Sequence, residues 1–208
     1  MNLMEIIAHQ ARQPSGKLGG ILAIYMNFGN NYLNKLAVQA LDIQPNDHIL
    51  EVGFGGGVAL YKILKNIRGG FVAGIDYSPD MVKRGKRKFQ KSIASGKITL
   101  VEGNVTSIPF DDVSFDKVYT INTIYFWPDP TAGLKEILRV LKRGGRLVVG
   151  FGAKDSMEKN PVTRYGFTLY SEQELRDLLT QAGFICKQTI VKRFRNRPTM
   201  LVIVAMRP

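Results

Sequence analysis

From about residue 48 the hydrophobic positions fall into short β-rich runs separated by longer amphipathic stretches. The runs HILEVG, GFVAGIDY, KITLVEG, FDKVYTIN and GRLVVGF alternate with helical patterns over Val58 to Lys65, Asp80 to Ala94 and Gly133 to Leu141. Strand and helix in regular alternation predict a parallel sheet. Such strands are covered on both faces, which accounts for the lack of polar alternation in VAGI and VVG. Towards the end, Ser171 to Gln181 reads as a helix opened by a Ser171–Glu174 capping box and closed by Gly183. The runs FICKQTIV and TMLVIVAM follow, separated by the basic stretch Lys192 to Pro198, and predict a hairpin that adds an antiparallel edge. Ahead of the sheet, Gly16 to Ala40 is helical and apolar, with an expected interruption at Phe28 to Asn31 (FGNN). That segment has no strand partner and is expected to act as a lid or outer layer, dividing the chain into residues 1–40 and a main domain over 41–208.

Composition adds limits. The 208 residues, 45% hydrophobic and 22% charged, fit one globular domain with a short appendage. No apolar run approaches a bilayer span, and the N-terminus lacks the pattern of a signal peptide, so a cytoplasmic protein is expected. The lone Cys186 excludes an internal disulfide or a cysteine-based metal cluster, and no metal is expected. The net charge of +12 is concentrated in Lys83 to Lys91, Arg139 to Arg146 and Lys187 to Arg197, whereas residues 1–47 are nearly balanced. Such clusters invite nucleic acid or an anionic membrane surface as partner, although a charged helix is more often a solvated face.

The chemistry is concentrated in ILEVGFGGG. Glu51 stands near the end of a strand, and Gly53, Phe54, Gly55 and Gly57 form the bend that feeds the next helix. Glycines let a backbone approach a ligand closely. The dinucleotide spacing G-x-G-x-x-G fails, because its sixth position is Val58 or Leu60. The spacing is instead E-x-G-x-G-x-G, before a helix N-terminus able to receive an anionic end of a ligand. Nineteen residues after Gly57, Asp76 ends the next strand, where a carboxylate accepts both hydroxyls of a ribose. Tyr77 and Met81 follow as candidates to cover an adenine or ribose face. In EGNVTSIPF the Asn104 side chain is a candidate reader of the adenine amino group and the Val105 amide of its ring nitrogen.

With these residues in place, the chain resembles the class I S-adenosylmethionine-dependent methyltransferases, in particular the ubiquinone/menaquinone C-methyltransferases and related small-molecule enzymes. The likeness runs over roughly residues 35 to 205 and includes EVGFGGG, GIDYSPDM, EGNVTSIPFDDVSFD, NTIYFWPDP, LKRGGRLV and YSEQELRDLLTQAGF. It implies a doubly wound α/β fold, Rossmann-like, with a seven-stranded, mostly parallel sheet in order 3-2-1-4-5-7-6 and strand 7 antiparallel. It further implies S-adenosyl-L-methionine as cofactor and S-adenosyl-L-homocysteine as product. Gly53, Gly55 and Gly57 would surround the methionine part, Asp76 would hold the ribose, Asn104 and Val105 the adenine, and the Ile121 backbone would lie near the methionine amine. The chain departs from the family in carrying Asn104 where Asp is common, and Tyr125–Phe126 where many members have a His pair.

A sulfonium methyl is already electrophilic, so the protein's task is orientation and exclusion of water. The sequence names no catalytic residue: His9, Tyr25, Asn122 and Tyr125 are weak candidates, and of the two histidines that could serve as a general base, His48, at the start of a strand, reads as structural. The substrate wall is expected from Tyr25, Phe28, Asn122, Tyr125, Trp127 and Tyr165, an aromatic and amide-rich set that suits a partly apolar small molecule. The main rival is an RNA or DNA methyltransferase using the basic surface. The strand-4 exit NTIYFWPD opposes it, because amino-methylating nucleic-acid enzymes commonly carry Asn/Asp-Pro-Pro-aromatic there. A non-catalytic cofactor-binding scaffold is the alternative from another class. The basic clusters leave peripheral contact with an anionic membrane open, and the sequence is silent on oligomeric state.

Overall fold

The computed structural model describes residues 2–195 and 198–208, without the side chains of residues 17, 18 and 22–29. Seven strands, β1 (His48–Val52), β2 (Phe71–Asp76), β3 (Ile98–Glu102), β4 (Phe115–Ile121), β5 (Leu141–Gly152), β6 (Ile185–Lys192) and β7 (Met200–Met206), form one sheet in the order β3-β2-β1-β4-β5-β7-β6. The pairs β3–β2, β2–β1, β1–β4 and β4–β5 are parallel, and β7 runs antiparallel to both β5 and β6. This is the doubly wound order that the motifs imply. The register sets Glu51 between Gly74 on β2 and Tyr119 on β4.

Helices cover both faces because the central strands are apolar on both. On one face α6 (Pro130–Val140) and α8 (Glu172–Gln181) bury Leu134, Ile137, Leu175 and Leu179 against Phe151 and Ile203. On the other, α2 (Gly16–Leu41) and α3 (Val58–Leu64) bury Leu33, Ala37, Leu41, Leu60 and Ile63 against Ile49 and Val148. The preceding helix α1 (Leu3–Arg12) packs on α2. The Ser171–Glu174 capping box opens α8 as expected: the Glu174 N–H donates to Ser171 Oγ at 3.2 Å and the Ser171 N–H to Glu174 Oε2 at 2.7 Å. Among the described residues, no helix is long and apolar enough to cross a membrane.

Two local expectations are corrected. The helix expected to break at Phe28 to Asn31 runs unbroken from Gly16 to Leu41. Glycine and asparagine are poor helix formers by only about 1 kcal/mol each, and burial of Leu33, Ala37 and Leu41 in the core outweighs that. The second half of α2 therefore belongs to the core layer. The single helix expected over Asp80 to Ala94 is two, α4 (Pro79–Lys88) and α5 (Gln90–Ala94). Phe89 separates them by turning into the core, only 5% exposed, where a Cβ on Gly57 would meet its ring at 2.7 Å. The remaining helix, α7 (Lys154–Met157), is a single turn after β5.

Candidate active site

The site lies at the carboxyl ends of β1, β2 and β4, where a parallel sheet of this type opens a crevice. Beyond Val52 the chain bends through Gly53 (φ 75°), Gly55 (φ 48°) and Gly57 (φ 63°) before α3 begins. A side chain at Gly53 would strike Thr123 Cγ2 at 2.3 Å, whereas at Gly55 nothing lies within 4 Å of a built Cβ. The first glycine is thus required by packing, and the second leaves its backbone open towards the cavity. Phe54 anchors the bend by pointing the other way, into the space left by Gly74 and Gly85, each of which would meet its ring if it had a Cβ.

Asp76 ties the end of β2 to this bend. Its Oδ2 accepts the Gly55 N–H at 2.7 Å and its Oδ1 the Ser78 N–H at 2.9 Å. Burial raises its pKa and those two donors oppose the rise. A carboxylate has about four acceptor positions, so each oxygen keeps capacity for a second donor. Glu51 is more isolated. It is 4% exposed, its Oε2 has no hydrogen-bond partner, and burial pushes its pKa from 4.5 up to about 8. The Tyr119 hydroxyl beside it lowers that value, the Asp76 charge raises it and the Lys88 ammonium lowers it. Tyr119 and Glu51 do not complete a hydrogen bond with each other, because the Tyr119 hydroxyl oxygen is itself buried without a partner. Lys88 comes from the end of α4, donates to the Gly56 carbonyl at 2.8 Å and holds the bend from outside.

These groups surround a cavity of ≈ 200 Å³. Of the residues singled out in the sequence for a cofactor, Glu51, Gly53, Phe54, Gly55, Asp76, Tyr77, Asn104, Val105 and Ile121 line it. Gly57 instead caps α3 against Phe89, and Met81 does not reach the cavity, being 1% exposed in the first turn of α4. Asn104 Oδ1 accepts the Thr106 N–H at 3.1 Å, so the amide readily offers its Nδ2 donors to a ligand. Of the expected substrate residues, Asn122 and Trp127 line the cavity. Tyr125 stands behind Asn122, 2% exposed, and Tyr165 sits apart, its hydroxyl accepting from Asn2 Nδ2 at 3.0 Å. Tyr25 and Phe28 lie outside the described residues. His9 is exposed on α1 away from the cavity, and the His48 N–H donates to Asp116 at 2.8 Å at the far end of β1. Sequence reasoning missed Arg12, Asn30, Asn34 and Thr123, all of which line the cavity. The i, i+4 spacing of Asn30 and Asn34 on a helix, which places both on one face, was the available signal.

A sheet of this order with a carboxyl-end cavity, a glycine bend and two acids on adjacent strand ends defines a nucleoside-binding α/β enzyme class. Comparison makes the class specific. Residues 50–149 match the methyltransferase domain family. The methyltransferase-family protein YrhH of Bacillus subtilis is 30% identical over 156 residues, covering 74% of this chain and 83% of that protein. The ubiquinone/menaquinone biosynthesis C-methyltransferase UbiE of Geotalea daltonii is 39% identical over 116 residues, 55% of this chain and 49% of its own length. The chain therefore spans about half of that relative. Among solved structures, a chain from the complex between the Haloferax volcanii Trm112 methyltransferase activator and a methyltransferase superposes with TM-score 0.78 at 20% identity, covering 100% of this chain and 99% of that one. An S-adenosylmethionine-dependent methyltransferase from Aquifex aeolicus gives TM-score 0.73 at 21% identity, covering 88% and 96%. The chain belongs to the S-adenosylmethionine-dependent methyltransferase family.

The residues present fit that cofactor. The orphaned Glu51 Oε2 matches an ammonium group, the spare acceptor capacity of Asp76 matches a diol, and the open backbone at Gly55 allows close approach.

Proposed function

We propose that the chain transfers a methyl group from S-adenosyl-L-methionine to a small, partly apolar, ring-containing acceptor, releasing S-adenosyl-L-homocysteine. The observation that carries this reading is the buried, unpartnered carboxyl oxygen of Glu51, a residue that lines the cavity beside the glycine bend. Glu51 would hold the methionine ammonium, Asp76 the ribose hydroxyls, and Asn104 with the Val105 amide the adenine edge, with Tyr77 over its face. Because Asn104 Oδ1 is engaged with Thr106, its Nδ2 suits a ring nitrogen better than the amino group. When bound, the cofactor supplies a sulfonium methyl, already electrophilic, so the chain's work is to align the acceptor and keep water out.

Trp127, Phe126 and Pro128 form the apolar part of the acceptor wall, and Asn122, Asn30 and Asn34 the polar part. Residues 1–40 form the cover. Ser78 Oγ donates to the Pro14 carbonyl, Gly16 N–H to Asp80 at 2.6 Å and Arg84 to the Gly16 carbonyl at 2.9 Å, so the α1–α2 turn is tied down beside the Asp76 strand end. The quinone-methylating name of one relative supports a ring-containing acceptor. Of the basic surplus, Arg12 alone among the described residues enters the cavity lining, which supports a small acceptor over a nucleic acid.

Isothermal calorimetry with S-adenosylhomocysteine, with NADH as control, tests the cofactor. Heat with NADH alone overturns the reading. Transfer of isotopic label from the cofactor into a metabolite extract tests the acceptor class, and label appearing only in RNA would replace the small molecule by a nucleic acid.

A further inference from the structure

A single backbone donor sets the direction of a chain of hydrogen bonds along the acceptor wall. The N–H of Gly152, the last residue of β5, donates to the Tyr125 hydroxyl oxygen. A peptide N–H has no other role, so the hydroxyl proton must point elsewhere. Asn122 Oδ1 receives it at 3.1 Å, and the Gly152 carbonyl at 3.5 Å is the poorer alternative. Asn122 therefore has its Nδ2 left, and this reaches Asn30 at 2.9 Å, where it must find Oδ1. The orientation of both amides follows from one peptide group. What Asn30 retains is Nδ2, which makes no hydrogen bond among the described residues, on a side chain that lines the cavity. Burial holds Tyr125 protonated by raising its pKa, so the relay stays neutral and its direction does not reverse.

Among the described residues, the ionisable side chains that line the cavity are Arg12, Glu51, Asp76 and Tyr77. Glu51 and Asp76 sit at the cofactor end, and Tyr77 is 53% exposed. No histidine is among the described lining residues, so the described part of the wall offers amide donors and the Arg12 cation. Resting on the methyltransferase reading, we propose that Asn30 Nδ2, oriented by Asn122 and Tyr125, is a subsite for an anionic oxygen, and that the acceptor is a phenol or enol acidic enough to enter as its anion. Arg12 adds attraction for that charge.

Such an acceptor brings its own electron pair. The pair forms the new bond to the methyl carbon, the carbon–sulfur bond breaks with its electrons left on sulfur, and the negative charge of the acceptor cancels the positive charge of the sulfonium. Attack through oxygen requires no proton removal. Attack through a conjugated ring carbon is followed by loss of that carbon's proton to water and protonation of the oxygen.

The test uses the full chain saturated with S-adenosylhomocysteine and two probes, 4-nitrophenol at about pH 9, where it is an anion, and its methyl ether 4-nitroanisole. The wild type is expected to bind the phenolate at least about tenfold more tightly than the ether, the scale of one charge-assisted hydrogen bond. Asn30→Asp, which keeps the contact to Asn122 but replaces the donor by a carboxylate, should abolish or invert that preference. Tyr125→Phe releases the Asn122 amide and should cut the preference to about threefold or less; a purely structural role for Tyr125 would weaken both probes alike. Absence of phenolate binding, equal binding of the two probes to wild type, or an unchanged preference in Asn30→Asp overturns the subsite. No heat with S-adenosylhomocysteine in the preceding titration overturns the methyltransferase reading itself, so the two failures are distinguishable.

Discussion

Replacing Glu51 by glutamine should make the folded chain more stable than wild type, and increasingly so as pH rises. The carboxyl is buried with one oxygen unpartnered, and its pKa stands near 8 in the folded chain against 4.5 for an ordinary glutamate. Between those values the unfolded chain has released the proton and the folded chain has kept it. An acid raised in this way contributes its stability in full below the unfolded value, loses it progressively as pH climbs, and has lost it above about 8. At about 1.4 kcal/mol for each tenfold change in proton activity, the interval amounts to about 5 kcal/mol. That is a large share of the ~5–15 kcal/mol by which domains are stable. Glutamine has the shape of the neutral acid and does not titrate, so the variant should track wild type near pH 4 and then diverge. Urea unfolding of both proteins at about pH 5, 7 and 9 measures this. The difference should open by about 3 kcal/mol or more across that range, with every other titrating group cancelling between the two proteins. Saturating S-adenosylhomocysteine should narrow it in wild type, because an ammonium beside the carboxylate favours the ionised form. Parallel pH profiles for the two proteins would refute both the burial argument and the assignment of Glu51 to a cationic ligand.

Asp76→Ala should weaken S-adenosylhomocysteine binding by about one to two decades for each ribose hydrogen bond lost, measured by calorimetry; an unchanged Kd contradicts the role. Gly55→Ala and Gly53→Ala should separate function from folding. At Gly55 the added methyl enters open space with a positive φ, so stability should fall by about 1 kcal/mol while affinity falls about tenfold. At Gly53 the methyl meets Thr123 at 2.3 Å, and the thermal midpoint should drop by several degrees more than for Gly55→Ala. Lys88→Met removes the clamp on Gly56 and the cation near Glu51. The variant should bind S-adenosylhomocysteine about threefold or more weakly, and its stability should fall with pH along a curve displaced to higher pH than wild type.

What was legible in the sequence was what backbone geometry demands locally. Gly53 and Gly55 occupy left-handed conformations, and Asp76 ends a strand beside them, so residue type and spacing alone bring these three together at the cavity. Met81 reads as a ligand cover from its place after Asp76 and Tyr77, but its position in the helix decides otherwise. Ser78 caps α4 by accepting the Met81 N–H at 3.2 Å, and that turn aims Met81 into the core. Asn30 was hidden by the same residues that make it useful. FGNN reads as a helix breaker by local propensity, whereas burial of Leu33, Ala37 and Leu41 carries the helix through and lays Asn30 and Asn34 along the cavity. Tyr125 read as a wall residue, and it acts one layer back, since contact with Gly152 joins parts of the chain 27 residues apart that no local pattern links.

The two ends of the cavity are consequently held by different kinds of bond, and this bears on how the site would respond to change. The proposed cofactor end rests on peptide groups and on two buried acids, Glu51 and Asp76; burial first, and then the Asp76 charge, raise the Glu51 pKa. Ionising both is costly until a cation arrives, so the charge state of this end is completed by its ligand, and few substitutions there could be neutral. The proposed acceptor end rests on side-chain amides whose direction is inherited from the Gly152 N–H through Tyr125 and Asn122. One amide-to-acid exchange at Asn30 reverses the polarity offered to the acceptor without touching the sheet. On the proposed reading, a fixed donor half joined to a readily re-polarised acceptor half would let one fold keep its methyl source while a handful of side chains on α2 and the exit of β4 set the identity of the methylated molecule.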